Sequence, residues 1–232
     1  MFSRATWFAV AALLIAGLTG CGVVQKINNI SHAVNANRAA VKAFTQGLKS
    51  GEATPFAATY VTTGGSPAKV TYAVQPPTDV AFAETAPGSG TANLDLVSNS
   101  SGEFSCTSAT ASSGWSCQKL GKAEAVAQNQ IVNFYTPSHW VTFLEAFSIA
   151  AGFAGDKVTM SSMTVNGFSM HCVDFSAKGV KGTSTICSTA QNILGYVKVA
   201  RQPTSFEIKS YTATPPDSAF RLPPAASVRK GG

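Results

Sequence analysis

The 232-residue sequence predicts an α+β protein, and three observations support this class. Short runs of alternating apolar and polar residues follow one another from residue 55 to 117, with turn signals about every eight to twelve residues. A second series of such runs begins after residue 155. Helical periodicity occurs near the N-terminus and again in the centre. The order therefore predicts two antiparallel meanders separated by a helical segment.

The N-terminus has the pattern of a bacterial lipoprotein signal peptide. Arg4 supplies a short positive region, and residues 7–16 form an apolar stretch that is shorter than the roughly 20 residues needed to span a bilayer. Residues 18–21 read Leu-Thr-Gly-Cys, which matches a lipobox. We expect residues 1–20 to be removed and Cys21 to be diacylated, with palmitate among its acyl chains. The mature protein would then be a lipid-anchored lipoprotein on the extracytoplasmic face of the cell membrane.

Composition argues against a nucleic-acid-binding protein. The formal net charge is +6, but the basic residues are scattered and no stretch alternates basic with aromatic residues. Charged residues make up 12% of the chain, about half the usual share of roughly 25%. This composition favours an extracytoplasmic, β-rich protein.

Four cysteines remain besides Cys21, and an even number in an exported chain predicts disulfides. Three connectivities are possible. We favour Cys106–Cys117 and Cys172–Cys187, because each pair brackets a Gly/Ser/Thr-rich stretch between two strand-like runs. The cysteines and histidines lack the close spacing of metal ligands, so no metal site is expected.

Apolar spacing predicts three helices, over residues 24–49, 122–135 and 137–151. In the last of these, Trp140, Phe143, Leu144 and Phe147 fall on one stripe. This stripe indicates either a helix that faces the core or a lid over an apolar cavity.

Strands are predicted for the remaining runs, and residues 21–224 are expected to form one domain with an unstructured tail at 225–232. The first meander comprises 56–63, 68–74, 80–85, 91–98, 103–108 and 114–120, and the second comprises 157–165, 168–176, 183–188, 193–200 and 204–213.

No motif in the sequence carries catalytic chemistry. The three histidines are isolated, the carboxylates form no tight pair, and there is no G-x-S-x-G or phosphate-binding glycine loop. We therefore expect no catalytic residues, no cofactor and no enzyme activity. A hydrolase whose residues come together only in space is the third-ranked alternative.

Several segments resemble the LolA/LppX/LprG-like lipoprotein-carrier superfamily, and actinobacterial-type lipoproteins of that group in particular. They are Asn-Ser-Ser-Gly-Glu-Phe-Ser-Cys at 99–106, Trp-Ser-Cys at 115–117, Phe-Tyr-Thr-Pro at 134–137, the hairpin Cys172 to Cys187, and Tyr211 to Phe220. The resemblance implies a curved, unclosed antiparallel β half-barrel with helices packed in its mouth. It also implies an apolar cavity that binds or transfers a lipid or a lipid-linked glycan, that is, a lipoglycan.

Residues that share a face in this arrangement are candidates to line the cavity. They are Phe82, Leu94, Leu96, Phe104, Trp140, Phe143, Leu144, Phe147, Met160, Met163 and Phe168. The second-ranked alternative is a protein of the same fold with a filled core, which would act as a surface scaffold, sensor or inhibitor for an unknown protein partner.

Overall fold

The protein's computed structural model describes residues 23–64, 67–85, 93–108, 114–122, 124–125, 132–154 and 157–230. Its two long helices are α1 (Val23–Glu52) and α2 (Pro137–Ala154). The first group of strands is β1 (Phe56–Thr63), β2 (Lys69–Gln75), β3 (Asp79–Thr85), β4 (Asn93–Asn99), β5 (Gly102–Ser108) and β6 (Ser116–Lys119). The second group is β7 (Lys157–Val165), β8 (Phe168–Ser176), β9 (Ser184–Thr189), β10 (Leu194–Lys198), β11 (Ser205–Thr212) and β12 (Ser227–Lys230).

The strands form one 12-stranded sheet in the order β12-β6-β5-β4-β3-β2-β1-β11-β10-β9-β8-β7. Each meander pairs its strands in sequence order, and the β1–β11 pair joins the two. The pairs are antiparallel except for β12–β6. Strands β12 and β7 stand at opposite ends of this order, so the sheet does not close. The predicted α+β, unclosed half-barrel is confirmed.

The helices bury their apolar stripes against one face of the sheet. Val41, Phe44 and Leu48 of α1 and Val141 and Leu144 of α2 are buried there. They meet the large buried side chains of the strands, which include Tyr60, Tyr72, Phe82, Phe206 and Ile208. Full burial of one such side chain contributes about 1.5–3 kcal/mol, so this shared core holds the helices in the mouth of the sheet.

The opposite face of the first meander is covered by a short 3₁₀ helix. Ala57, Ala73 and Ala81 form a small cluster with Phe220 at the end of the helix Asp217–Phe220. The amide of Asn99 donates to the Phe220 carbonyl at 2.9 Å. Alanines let the backbone of this helix lie close to the strands.

Both predicted disulfides are present. Cys106 pairs with Cys117 across β5 and β6, and Cys172 pairs with Cys187 across β8 and β9. In each case the two cysteines are directly opposite each other in the strand register. The disulfides therefore cross-link strands near each end of the sheet.

The C-terminal segment differs from the expected unstructured tail. Residues 227–230 form β12, which runs parallel to β6, and the amide of Ser227 donates to the Trp115 carbonyl at 3.0 Å. Pairing with a strand more than a hundred residues away supplies the backbone partners that this short polar segment lacks locally.

The expected signal peptide and Cys21 lie outside the described residues, as do residues 123 and 126–131, which are half of the predicted helix 122–135. Within the residues that the structure describes, no helix is both long and apolar enough to cross a membrane.

Candidate functional site

A cavity of about 410 Å³ lies between the first meander, the end of α1 and the segment that enters α2. Its lining residues are Glu52, Tyr72, Val74, Pro76, Pro77, Asp79, Val80, Leu96, Val97, Ser98, Glu103, Phe104, Leu120, Val132, Asn133 and Thr136. Among organic ligand sites, volumes of about 300–1,000 Å³ are typical. The cavity is therefore large enough for part of an organic ligand.

The apolar wall comes from the inward-facing positions of three neighbouring strands. Register places Tyr72 opposite Phe82 and Phe82 opposite Leu96, so these residues share the face that meets the helices. Val74 and Val80 pair with each other on the same face, next to the Pro76-Pro77 turn that joins β2 to β3. Alternation along the strands thus produces a continuous apolar surface.

Glu52 connects α1 to α2 at one side of the cavity. Its carboxylate accepts hydrogen bonds from the backbone N–H of Ser138 at 3.0 Å and from the Ser138 hydroxyl at 3.2 Å. Helix N-termini leave N–H groups without intrahelical partners and favour negative charge, so this contact stabilises the start of α2. Burial raises the pKa of Glu52, and the two Ser138 hydrogen bonds oppose that increase.

Tyr72 connects the sheet to the segment before α2. Its hydroxyl lies 3.3 Å from the Thr136 hydroxyl. Burial raises the pKa of Tyr72 to about 12, so the phenol is neutral at physiological pH. The cavity therefore has a fixed polar corner beside its apolar wall.

The space under the first turns of α2 is filled by aromatic side chains. The ring of Tyr135 lies 5.0 Å from Phe206, 5.3 Å from Phe82 and 5.7 Å from Tyr60, measured between centroids. The ring of Phe134 lies 5.3 Å from Trp140, whose indole N–H donates to the Phe134 carbonyl at 2.8 Å. The rings of this aromatic cluster belong to the core and are not among the residues that line the cavity.

The predicted cavity residues are distributed over several environments. Leu96 and Phe104 line the cavity. Phe82, Trp140 and Leu144 are buried in the core instead. The partly buried residues that pack against this core are Leu94, Phe147, Met163 and Phe168. Phe143 and Met160 are 36% and 46% exposed. The stripe on α2 is thus core-facing at Trp140 and Leu144, and in the described residues it does not line the cavity.

Two predicted shared faces differ from the structure. The β4–β5 register pairs Phe104 with Val97, whereas Leu96 pairs with Ser105, so Phe104 lies on the face opposite to Leu96. Met160 and Met163 are an odd number of residues apart on β7 and point to opposite faces. Met163 contacts the Cys187 sulfur at 3.4 Å, while Met160 is exposed.

Several lining residues were not among the predicted candidates. Val80 could have been found, because it alternates with the predicted candidate Phe82 on β3. Val74 lies on β2, which supplied no candidate, and the structure pairs it with Val80. Glu52, Val132 and Thr136 carry no such signal, since they lie on helices or connections whose position depends on the tertiary structure. Among the described residues, no group of three or more His, Cys, Asp or Glu residues could hold a metal ion.

Comparisons with known proteins find similarity in the fold. No family model and no curated protein sequence matches the chain. A crystal structure of MucB matches with a TM-score of 0.51 and 11% sequence identity, over 81% of this chain and 64% of MucB. The chain therefore spans less than two thirds of the length of MucB. At this identity the likeness is one of fold.

Proposed function

We propose that this protein is a lipoprotein of the extracytoplasmic membrane face that binds or transfers a lipid or lipid-linked glycan. The observation that carries the proposal is the cavity beside β2–β5, with its apolar wall and its size of about 410 Å³. The LolA-like architecture supports it, because an open sheet covered by helices leaves room between the two layers.

Burial of acyl chains is sufficient to explain binding at such a site. Each buried methylene contributes about 0.8 kcal/mol, so a few methylene groups against Val74, Val80 and Leu96 supply several kcal/mol. No acid, base or nucleophile is required, and the proposal includes no catalytic step.

The cavity volume sets how much of a ligand is held. The aromatic cluster of Tyr60, Phe82, Phe134, Tyr135, Trp140 and Phe206 fills the region under α2, so the proposed site takes one end of an acyl chain rather than a whole lipid. The filled-core scaffold alternative predicts no cavity of several hundred cubic ångströms, whereas the described residues line a partly open one. The filled region under α2 is the observation that favours this alternative.

The N-terminal sequence supports the location. A diacylated Cys21 would come two residues before α1, whose 30 residues extend for about 45 Å at 1.5 Å per residue. The anchor would keep the cavity close to a source of lipid.

A cavity-filling substitution tests the proposal. Val80→Trp places an indole in the apolar wall and is expected to weaken binding of a fluorescent fatty-acid probe at least tenfold. Met160→Trp adds the same side chain at an exposed position outside the cavity and is the matched control. Equal binding by wild type and both variants, with circular dichroism showing that each is folded, would refute binding at this cavity.

A further inference from the structure

The lining residues with a charged side chain are all acidic. They are Glu52, Asp79 and Glu103, and no Lys, Arg or His is among the described lining residues. The chain as a whole has 17 basic and 11 acidic residues, so the cavity is opposite in sign to the protein.

Each carboxylate is held at the cavity by the fold. The Ser138 backbone amide and hydroxyl fix Glu52. Asp79 begins β3 directly after the Pro76-Pro77 turn, and its carboxylate accepts a hydrogen bond from Thr78 at 3.0 Å. Glu103 lies on β5 opposite Ser98 of β4, another lining residue. The three residues come from α1, β3 and β5. Glu103 shares the inward face with Ser98, whereas Asp79 alternates with the inward-facing Val80 and lines the cavity beside the Pro76-Pro77 turn.

Lys119 is a basic residue near the site, but it lies on the other face of the sheet from Glu103. Its ammonium nitrogen is 5.8 Å from the ring centroid of Phe104, with which Lys119 pairs in the strand register, and it donates to the Ser101 carbonyl at 2.7 Å. Because Phe104 and Glu103 are neighbours on β5, their side chains point to opposite faces. Segments 86–92, 109–113 and 126–131, which lie outside the described residues, contain no charged residue in their sequence.

We propose that the cavity selects amphiphiles with a cationic head, a primary amine or quaternary ammonium, over amphiphiles with an anionic head. This inference rests on the proposed function and adds the head-group charge. An anionic head would bring a like charge into a partly desolvated site next to three carboxylates, whereas a cationic head is attracted to them.

Three probes with a chain of the same number of carbon atoms test the inference: dodecyltrimethylammonium, dodecanoate and the uncharged dodecyl maltoside. Binding to the purified protein is measured by isothermal titration calorimetry below the critical micelle concentration of each probe. Exposed charge pairs contribute up to about 1 kcal/mol each, or up to roughly fivefold in affinity, so with three carboxylates the cationic probe should bind on the order of tenfold more tightly than the anionic one. The preference should decrease as ionic strength is raised from about 0.01 M to 1 M.

Variants with matched charge separate the cavity from the rest of the surface. The double variant Asp79→Asn and Glu103→Gln should lose most of the preference, and it retains Glu52 at the start of α2. The control variant Glu207→Gln and Asp217→Asn has the same change in net charge at residues that do not line the cavity, and it should keep the preference.

The outcomes distinguish this inference from the proposed function. Equal or tighter binding of dodecanoate overturns the head-group inference and leaves lipid binding intact. Equal loss of preference in both double variants also overturns it, because the effect would then come from net charge. If none of the three probes binds, the proposed function itself fails and the inference fails with it.

Discussion

Leu144→Ala distinguishes a filled space under α2 from an open one. Leu144 is 1% exposed and belongs to the same buried cluster as the strand residues beneath it. The substitution removes the equivalent of about three methylene groups, or about 2.4 kcal/mol of burial at 0.8 kcal/mol each. Partial collapse around the remaining void adds to this, so we expect a loss of about 3 kcal/mol, within the usual range of 2–5 kcal/mol.

Urea unfolding monitored by circular dichroism gives the free energy of unfolding for wild type and variant at an equal m-value. The corresponding decrease in Tm is about 6–12 °C for a domain of this size. Phe143→Ala, at the neighbouring and 36% exposed position, is the control and should cost clearly less. If α2 instead covered an open acyl cavity, Leu144 would have few packing neighbours. A cost below about 1 kcal/mol for Leu144→Ala would refute the filled core.

Three further predictions follow from other parts of the structure. Burial raises the pKa of Asp95 from 3.8 to about 6, so its protonated form stabilises the fold below about pH 4, and this stabilisation is lost as the pH rises through about 6. Asp95→Asn should remove this decrease in the free energy of unfolding, measured by urea unfolding across that pH range. An unchanged pH profile in the variant would contradict the prediction. Replacing Cys172 and Cys187 together by Ala should lower the free energy of unfolding by about 3 kcal/mol in the chain-entropy model for a loop of this length, measured by urea unfolding, and a change near zero would contradict it. Cys21→Ala should move the protein from the membrane to the soluble fraction without changing its Tm, and continued membrane association would argue against acylation at this residue.

Local patterns account for how well the strands could be predicted. Alternation with a period of two residues identifies Phe56–Thr63 or Phe168–Ser176 without any knowledge of the tertiary structure, and turn residues separate the hairpins. The two disulfides follow from the same information, because each closes a hairpin between adjacent strands. Strand order within each meander was therefore accessible from the sequence.

The facing of residues across strands depends on register, which alternation within one strand does not determine. A shift of one position moves Phe104 from the face of Leu96 to the face of Val97. Strand β12 was missed for a related reason, because its pairing with β6 is long-range and its sequence Ser-Val-Arg-Lys has little local preference for a strand.

The site itself depends on tertiary packing. The sequence places aromatic residues at 134, 135 and 140, but only the fold shows that they fill the space under α2. The open volume consequently lies beside the Pro76-Pro77 turn, where the sequence indicated only a turn.

Photo-crosslinking tests most directly whether acyl chains occupy this cavity. A fatty acid with a diazirine on its acyl chain, irradiated with the purified protein and mapped by peptide mass spectrometry, should label residues of the cavity wall such as Tyr72, Val80 and Leu96. Excess unlabelled fatty acid should suppress this labelling. Competed labelling confined to the exposed residues Phe143 and Met160, with none at the cavity wall, would contradict the account.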